Sequence, residues 1–221
     1  MDERGTEYGR SPRGQEVKIA KRKPWGCEFL AYENDNVAIW HLLIDPWAET
    51  SLHCHPNKKT GLIVLQGGAK VCFLSGGEKL FAGEKVMIRE GVFHRTVNMT
   101  SSTLHLYEIE SPVDKSDLVR IDDKYDRGTV YTDEEDYLVD IKCPWEDNKG
   151  YYCDVKIEKM NMGFRIKKGN YLILTGGIRS GGSLVCAPGD IVSGDTFAML
   201  STKFETLETE AIYVVNEKNR S

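Results

Sequence analysis

Several things are scarce in this chain, and each scarcity removes a class of function. Positive charge is not in excess: 29 Lys and Arg stand against 34 Asp and Glu, a formal net charge of −5 at pH 7. A surface that neutralises phosphates needs the opposite balance, so a nucleic-acid partner is not expected. No apolar run approaches the roughly 20 residues that a helix needs to cross a bilayer, so no membrane partner is expected either. The start, Met1-Asp2-Glu3-Arg4-Gly5, lacks the apolar core of a secretory signal. The six cysteines (Cys27, Cys54, Cys72, Cys143, Cys153, Cys186) form no Cys-x-x-Cys pair. They read as reduced, mostly buried thiols, and the expected compartment is the cytoplasm. Histidine is scarce as well, with five in 221 residues, and this makes their placement informative.

A chain of this length buries roughly 70% of its extended surface on folding, enough for one large domain or two small ones. Residues 1–17 are polar, without periodicity, and read as a flexible arm. Short β-branched and aromatic runs then alternate with turn residues. Examples are Val37-Ala38-Ile39-Trp40-His41-Leu42-Leu43-Ile44, then Gly61-Leu62-Ile63-Val64-Leu65-Gln66, and Thr103-Leu104-His105-Leu106-Tyr107-Glu108-Ile109. Strands this short, separated by glycine turns, predict an all-β sandwich or barrel over residues 18–112. Residues 113–136 are rich in Asp, Glu and Lys and read as a connector. A second strand series fills 137–221, and its Tyr171…Gly176-Gly177 and Pro188-Gly189-Asp190 repeat the layout of Leu62…Gly67-Gly68 and Gly83-Glu84-Lys85. It contains no histidine, and a degenerate second barrel without metal is expected there.

Three of the five histidines fall in one pattern. His53 and His55 are two apart in Ser51-Leu52-His53-Cys54-His55, and in a strand residues two apart share a face. Both imidazoles can then reach one ion, while Cys54 points the other way. His94 closes the second pattern: Gly83, then Arg89-Glu90-Gly91, His94 and Asn98. Three neutral imidazoles suit one divalent ion, Zn, Ni, Fe or Mn.

These two patterns resemble the paired motifs of the cupins, double-stranded β-helix (jelly-roll) barrels. Their first motif is G-x5-H-x-H-x3/4-E-x6-G and their second is G-x5-P-x-G-x2-H-x3-N. Here Trp47 stands at the first glycine, Thr60 at the glutamate and Arg89 at the proline. Over residues 20–127 the chain is similar to the mannose-6-phosphate isomerase domain within the cupins. The matching segments are Lys23-Pro24-Trp25-Gly26, Asp45-Pro46, Ser51-Leu52-His53-Cys54-His55, Gly91-Val92-Phe93-His94-Arg95 and Asp117-Leu118-Val119-Arg120…Tyr125-Asp126-Arg127.

The resemblance implies a bicupin with a metal site in its first barrel. That family's Gln, His, Glu and His ligands become His53, His55, Thr60 and His94 in this chain. The metal ligands expected are His53, His55 and His94, with Thr60 as a pocket hydroxyl. Lys58, Arg95 and Lys23 are candidates for contact with a sugar or its phosphate, and Lys58 and Arg95 are also the catalytic candidates. A guanidinium pairs bidentately with such anions. For Lys58 and Lys59 a solvated loop is the competing reading, and strand parity turns Arg95 away from His94. No general base is identified. Asn98, His41 and His105 read as structural.

The expected function is that of a metal-dependent cupin enzyme acting on a sugar or sugar phosphate as an isomerase or epimerase, in a homodimer. Two alternatives stand beside it. One is a non-catalytic carbohydrate or nucleotide-sugar binding cupin, and the other a three-histidine Fe(II) cupin dioxygenase.

Overall fold

The computed structural model describes residues 9–10, 16–128, 136–139, 151–161 and 163–217. The remainder of the expected arm (1–8 and 11–15), Cys143 and part of the expected connector (129–135) lie outside the described residues. In chain order the elements are β1 (Gly9–Arg10), β2 (Glu16–Lys23), β3 (Gly26–Glu33), β4 (Ala38–Ile44), β5 (Leu52–Cys54), β6 (Lys59–Gln66), β7 (Gly68–Phe73), β8 (Gly77–Phe81), β9 (Lys85–Ile88), β10 (His94–Asn98), β11 (Leu104–Ser111) and β12 (Val119–Asp122). There follow β13 (Asp136–Val139), β14 (Cys153–Met160), β15 (Asn170–Thr175), β16 (Ile178–Ser180), β17 (Ser183–Cys186), β18 (Ile191–Ser193), α1 (Gly194–Ser201), β19 (Glu205–Thr206) and β20 (Thr209–Asn216).

The first unit is a two-sheet antiparallel jelly roll of the cupin type. One sheet runs β1-β2-β3-β4-β11-β6-β9, with β13 also on β2, and the other runs β12-β5-β10-β7-β8. The expected connector therefore gives the barrel a strand: Val119 and Arg120 stand in register with Cys54 and His53. The two sheets enclose Leu42, Ile44, Leu62, Val64, Val71, Leu104 and Leu106.

The alternate residues of the same strands face the other way. Ile39, Ile63, Leu65, Tyr107 and Ile109 pack against Cys153, Val155, Leu172, Leu174, Ile191, Ile212 and Val214 of the second unit. The large sheet is thus covered on both faces, which explains why Leu62-Ile63-Val64-Leu65 reads as a continuous apolar run and not as an alternation.

The second unit repeats part of this plan. The order β4-β11-β6-β9 recurs as β14-β20-β15-β18, and β10-β7-β8 recurs as β19-β16-β17. The turn repeats in detail. Gly83 N donates to Val64 O (2.8 Å) and Val64 N to Glu84 O (3.0 Å), while Gly189 N donates to Ile173 O (2.9 Å) and Ile173 N to Asp190 O (2.9 Å). Both glycines have φ near +90°, at +87° and +89°, a region open to glycine and costly to other residues. Two things differ. Among the described residues between β14 and β15 no strand corresponds to β5, and α1 lies between β18 and β19. Of the two strands that bring the histidine cluster together, β5 has no counterpart among the described residues of the second unit, and the counterpart of β10, β19 (Glu205–Thr206), carries no histidine.

Candidate metal centre

β5 and β10 are neighbours, and His53 stands opposite His94 in register. Their imidazoles, with that of His55 just after β5, have ring centroids 4.6–5.6 Å apart. A fourth group completes the cluster. Glu108 reaches it from β11 on the opposite sheet, and one ligand atom from each of His53, His55, His94 and Glu108 lies within 4.8 Å of the others. All four are buried.

Backbone carbonyls fix the rings. His53 Nδ1 lies 2.9 Å from Ser51 O, His55 Nδ1 2.6 Å from Asp117 O, and His94 Nδ1 3.0 Å from Val92 O. A carbonyl only accepts, so each Nδ1 carries the proton and each Nε2 is left with its lone pair. His55 Nε2 is buried without a hydrogen-bond partner. An orphaned buried acceptor among two further imidazoles and a carboxylate is what a metal ion would satisfy, so the donor set fits one.

Electrostatics agree with that donor set. Burial, together with the neighbouring imidazoles, pushes His53 well below the usual histidine value. Burial and Lys58 push His55 down to about 3, and burial lowers His94. Burial and then Glu110 push Glu108 up to about 8. Because His55 stays neutral, the 3.9 Å approach of its Nε2 to Glu108 Oε1 is not an ion pair. Neutral imidazoles beside a carboxyl whose charge burial disfavours form a site that a bound cation would stabilise.

The cavity beside the cluster is lined by Lys23, Lys58, Lys115, Arg120 and Arg127, and by Glu28, Glu108 and Glu110. Lys58 is not on a solvated loop. It is 1% exposed, and its Nζ donates to Glu110 Oε1 (2.7 Å) and Asp114 O (2.8 Å). Lys23 is buried 3.3 Å from Glu28, which also takes Lys115 at 2.6 Å. Thr60 is buried opposite Glu110, and its hydroxyl has no hydrogen-bond partner.

Arg95 lies apart from the cavity, on Glu49 (3.1 Å) and Asp122 (2.9 Å), as its parity in β10 predicts. Asn98 is a structural anchor, its Nδ2 directed at the carbonyls of Ile44, Asp45 and Ser102. His41 and His105 lie together (3.3 Å) among Tyr107 and Tyr151, away from the metal cluster. The residues that sequence reasoning missed are Glu108 and Glu110. Their signal was parity: on β11 they continue the inward series of Leu104 and Leu106.

The sequence pattern of a protein family described as Mannose-6-phosphate isomerase C-terminal matches residues 12–123. No curated protein matches the chain. Similar solved structures include a Bacillus halodurans protein, at 24% identity and a TM-score of 0.35, covering 36% of this chain and 65% of that one. A sugar phosphate isomerase of the cupin superfamily from Silicibacter pomeroyi is 15% identical, with a TM-score of 0.42, over 52% of this chain and 82% of that one. A Klebsiella pneumoniae protein with a double-stranded β-helix domain is 18% identical, with a TM-score of 0.38, over 52% and 92%.

Proposed function

Because the chain belongs to the mannose-6-phosphate isomerase C-terminal family, whose pattern matches just over half of it, we propose that its cavity is a metal-dependent site for isomerising or epimerising a sugar or sugar phosphate. The observation that carries this reading is the buried convergence of three imidazoles, each with Nδ1 tied to a carbonyl, on the carboxyl of Glu108. His53, His55, His94 and Glu108 would hold one divalent ion, Zn, Ni, Fe or Mn. Such an ion supplies a Lewis acid for a carbonyl or hydroxyl pair of the substrate.

The remaining chemistry belongs to the chain. Five cationic side chains line the cavity against three acidic ones, and burial disfavours the charge of one of these, Glu108. This balance suits an anionic substituent such as a phosphate, with Lys23 and Arg120 as its contacts. Moving a hydrogen between adjacent sugar carbons needs a base in the cavity. Glu110 is the carboxylate of the lining that belongs neither to the metal cluster nor to the Glu28 ion pairs. In this reading its Oε2 takes the proton, while Lys58 fixes the group through Oε1.

The missing motif glutamate at Thr60 is the ground for a non-catalytic binding module. Glu108 brings a carboxylate to the histidines from another strand and weakens that ground. The test is elemental analysis of wild type beside His55→Ala, followed by mannose-6-phosphate turnover and oxygen consumption with the metal-loaded protein. One equivalent of metal, lost in the variant, with sugar-phosphate turnover is the expected result. A wild-type protein that retains no metal would sink the reading, and oxygen consumption without sugar turnover would replace it with an oxygenase.

A further inference from the structure

The histidine-free second unit meets the first on the outer face of the two strands whose inner face carries the cavity. Three consecutive residues of its repeated turn make that contact. Gly189 is packed so tightly that a Cβ there would meet Ser111 and lie 3.0 Å from Lys59 Cε. Asp190 Oδ1 holds Lys59 Nζ at 2.6 Å, while its Oδ2 accepts from Ala187 N at 2.7 Å, so the carboxylate is fixed at both oxygens. Ile191 fills the space beside Gly61, where a Cβ would lie 2.8 Å from it.

The residues touched are Lys59, Gly61 and Ser111. Two of them are sequence neighbours of cavity residues, Lys59 of Lys58 and Ser111 of Glu110, and Gly61 follows Thr60, which stands in register with Glu110. Because strand neighbours point to opposite faces, a turn gripping the outer set fixes the inner set.

We propose that the turn Gly189-Asp190-Ile191 is a positioning element for the metal cavity, acting through Lys59, Gly61 and Ser111 on Lys58, Glu110 and, along β11, Glu108. It rests on the reading of the cluster as a metal centre. The second unit thereby has a role although its described residues hold no ligand: it sets where the carboxylates of β11 stand relative to the histidines of the other sheet. Lys59 is the pivot, since Lys58 turns inward to Glu110 and Lys59 outward to Asp190.

The test uses the full chain loaded with Co²⁺, reading the visible ligand-field band and the Co²⁺ dissociation constant, with thermal unfolding in parallel. Asp190→Asn, Lys59→Met and Gly189→Ala should shift the band and weaken Co²⁺ by roughly tenfold, the lower end of what loss of a supporting contact costs a metal site. Lys59→Arg keeps the ion pair and should restore both readings. Asn216→Ala removes a different contact across the same seam, the Asn216 Nδ2 bond to Ala82 O (2.6 Å). It should lower the melting temperature without moving the band. An unchanged band and affinity in the three turn variants, with Co²⁺ bound normally by wild type, would overturn the positioning role alone. A shift by Asn216→Ala as large as theirs would overturn it too, since the effect would then be general loosening. No Co²⁺ band in wild type would overturn the metal reading and this proposal together.

Discussion

Glu108 Oε1 and His55 Nε2 lie 3.9 Å apart although they come from opposite sheets of the barrel, on β11 and just after β5. The pairing restores a carboxylate to a site whose expected glutamate position is Thr60. Thr60, in register with Glu110 on the neighbouring strand, is buried with an unpartnered hydroxyl and offers no carboxylate.

Glu108→Gln should weaken Co²⁺ by at least tenfold, and His55→Ala or His94→Ala by more than roughly 100-fold, since even outer-shell partners cost a metal site 10- to 100-fold. Thr60→Val keeps the shape and removes only a hydroxyl without a partner, so Co²⁺ affinity should stay within about twofold. Titration of the four variants followed by absorbance checks this. Equal losses for Glu108→Gln and Thr60→Val would contradict the assignment.

Much of the site and its scaffold is legible in the amino-acid order. The i, i+2 histidine pair and the Gly91-Val92-Phe93-His94 loop fix the three imidazoles, because strand parity decides their faces and the turn decides where β10 begins. The repeated glycine turns likewise announce the second unit. Glu108 is hidden because a carboxylate inside Leu-Tyr-Glu-Ile-Glu reads as strand decoration unless parity is counted from Leu104. Lys58 is hidden because a lysine in a Pro-Asn-Lys-Lys loop reads as solvated. Its long-range partners Glu110 and Asp114, 52 and 56 positions away, draw it inside. The continuous apolar run in β6 carries the remaining clue, that a second layer covers the outer face of the large sheet.

The buried Lys58–Glu110 pair gives a stability prediction. The two side chains are 1% and 3% exposed. Lys58→Met leaves a buried carboxylate without its cation and should cost about 3–5 kcal/mol. Lys58→Met with Glu110→Leu removes both charges and should recover most of that loss, because replacing a whole buried pair with apolar groups is often neutral. Urea unfolding of the wild type, the single variant and the double variant measures the difference. A double variant as unstable as Lys58→Met would show that the pair's surroundings, and not its charge balance, set the cost.

Glu28 gives a pH dependence. Burial alone would raise its pKa, but Lys115 and then Lys23 overcome this and hold it below the usual 4.5. A carboxyl whose folded pKa is depressed stabilises the fold above its unfolded value and loses that contribution as pH falls through the folded value. The stability gap between wild type and Glu28→Gln should therefore be full at pH 7 and shrink progressively below about pH 4.5. Urea midpoints of the two proteins between pH 7 and pH 3 test it. A gap independent of pH would mean that the two lysines do not sense the carboxylate's charge.

Trp47 occupies the position of the first motif glycine and has a backbone conformation that glycine adopts at little cost. Its φ is +61°, and Ala48 N donates to Asp45 O at 3.1 Å. Asp45-Pro46-Trp47-Ala48 is thus a turn of the type II kind, with proline second and a left-handed residue third, where glycine is favoured. The indole is 64% exposed, so packing offsets the strain only in part. Removing the ring in two ways isolates the backbone contribution. Trp47→Ala retains the left-handed penalty of about 1–2 kcal/mol, whereas Trp47→Gly relieves it at an entropic cost of about 0.5–1 kcal/mol. The glycine variant should accordingly be the more stable by about 0.5–1 kcal/mol, the reverse of the usual order of alanine and glycine. Differential scanning calorimetry of the two variants decides it. A more stable alanine variant would mean that the turn relaxes out of the left-handed region once the indole is gone.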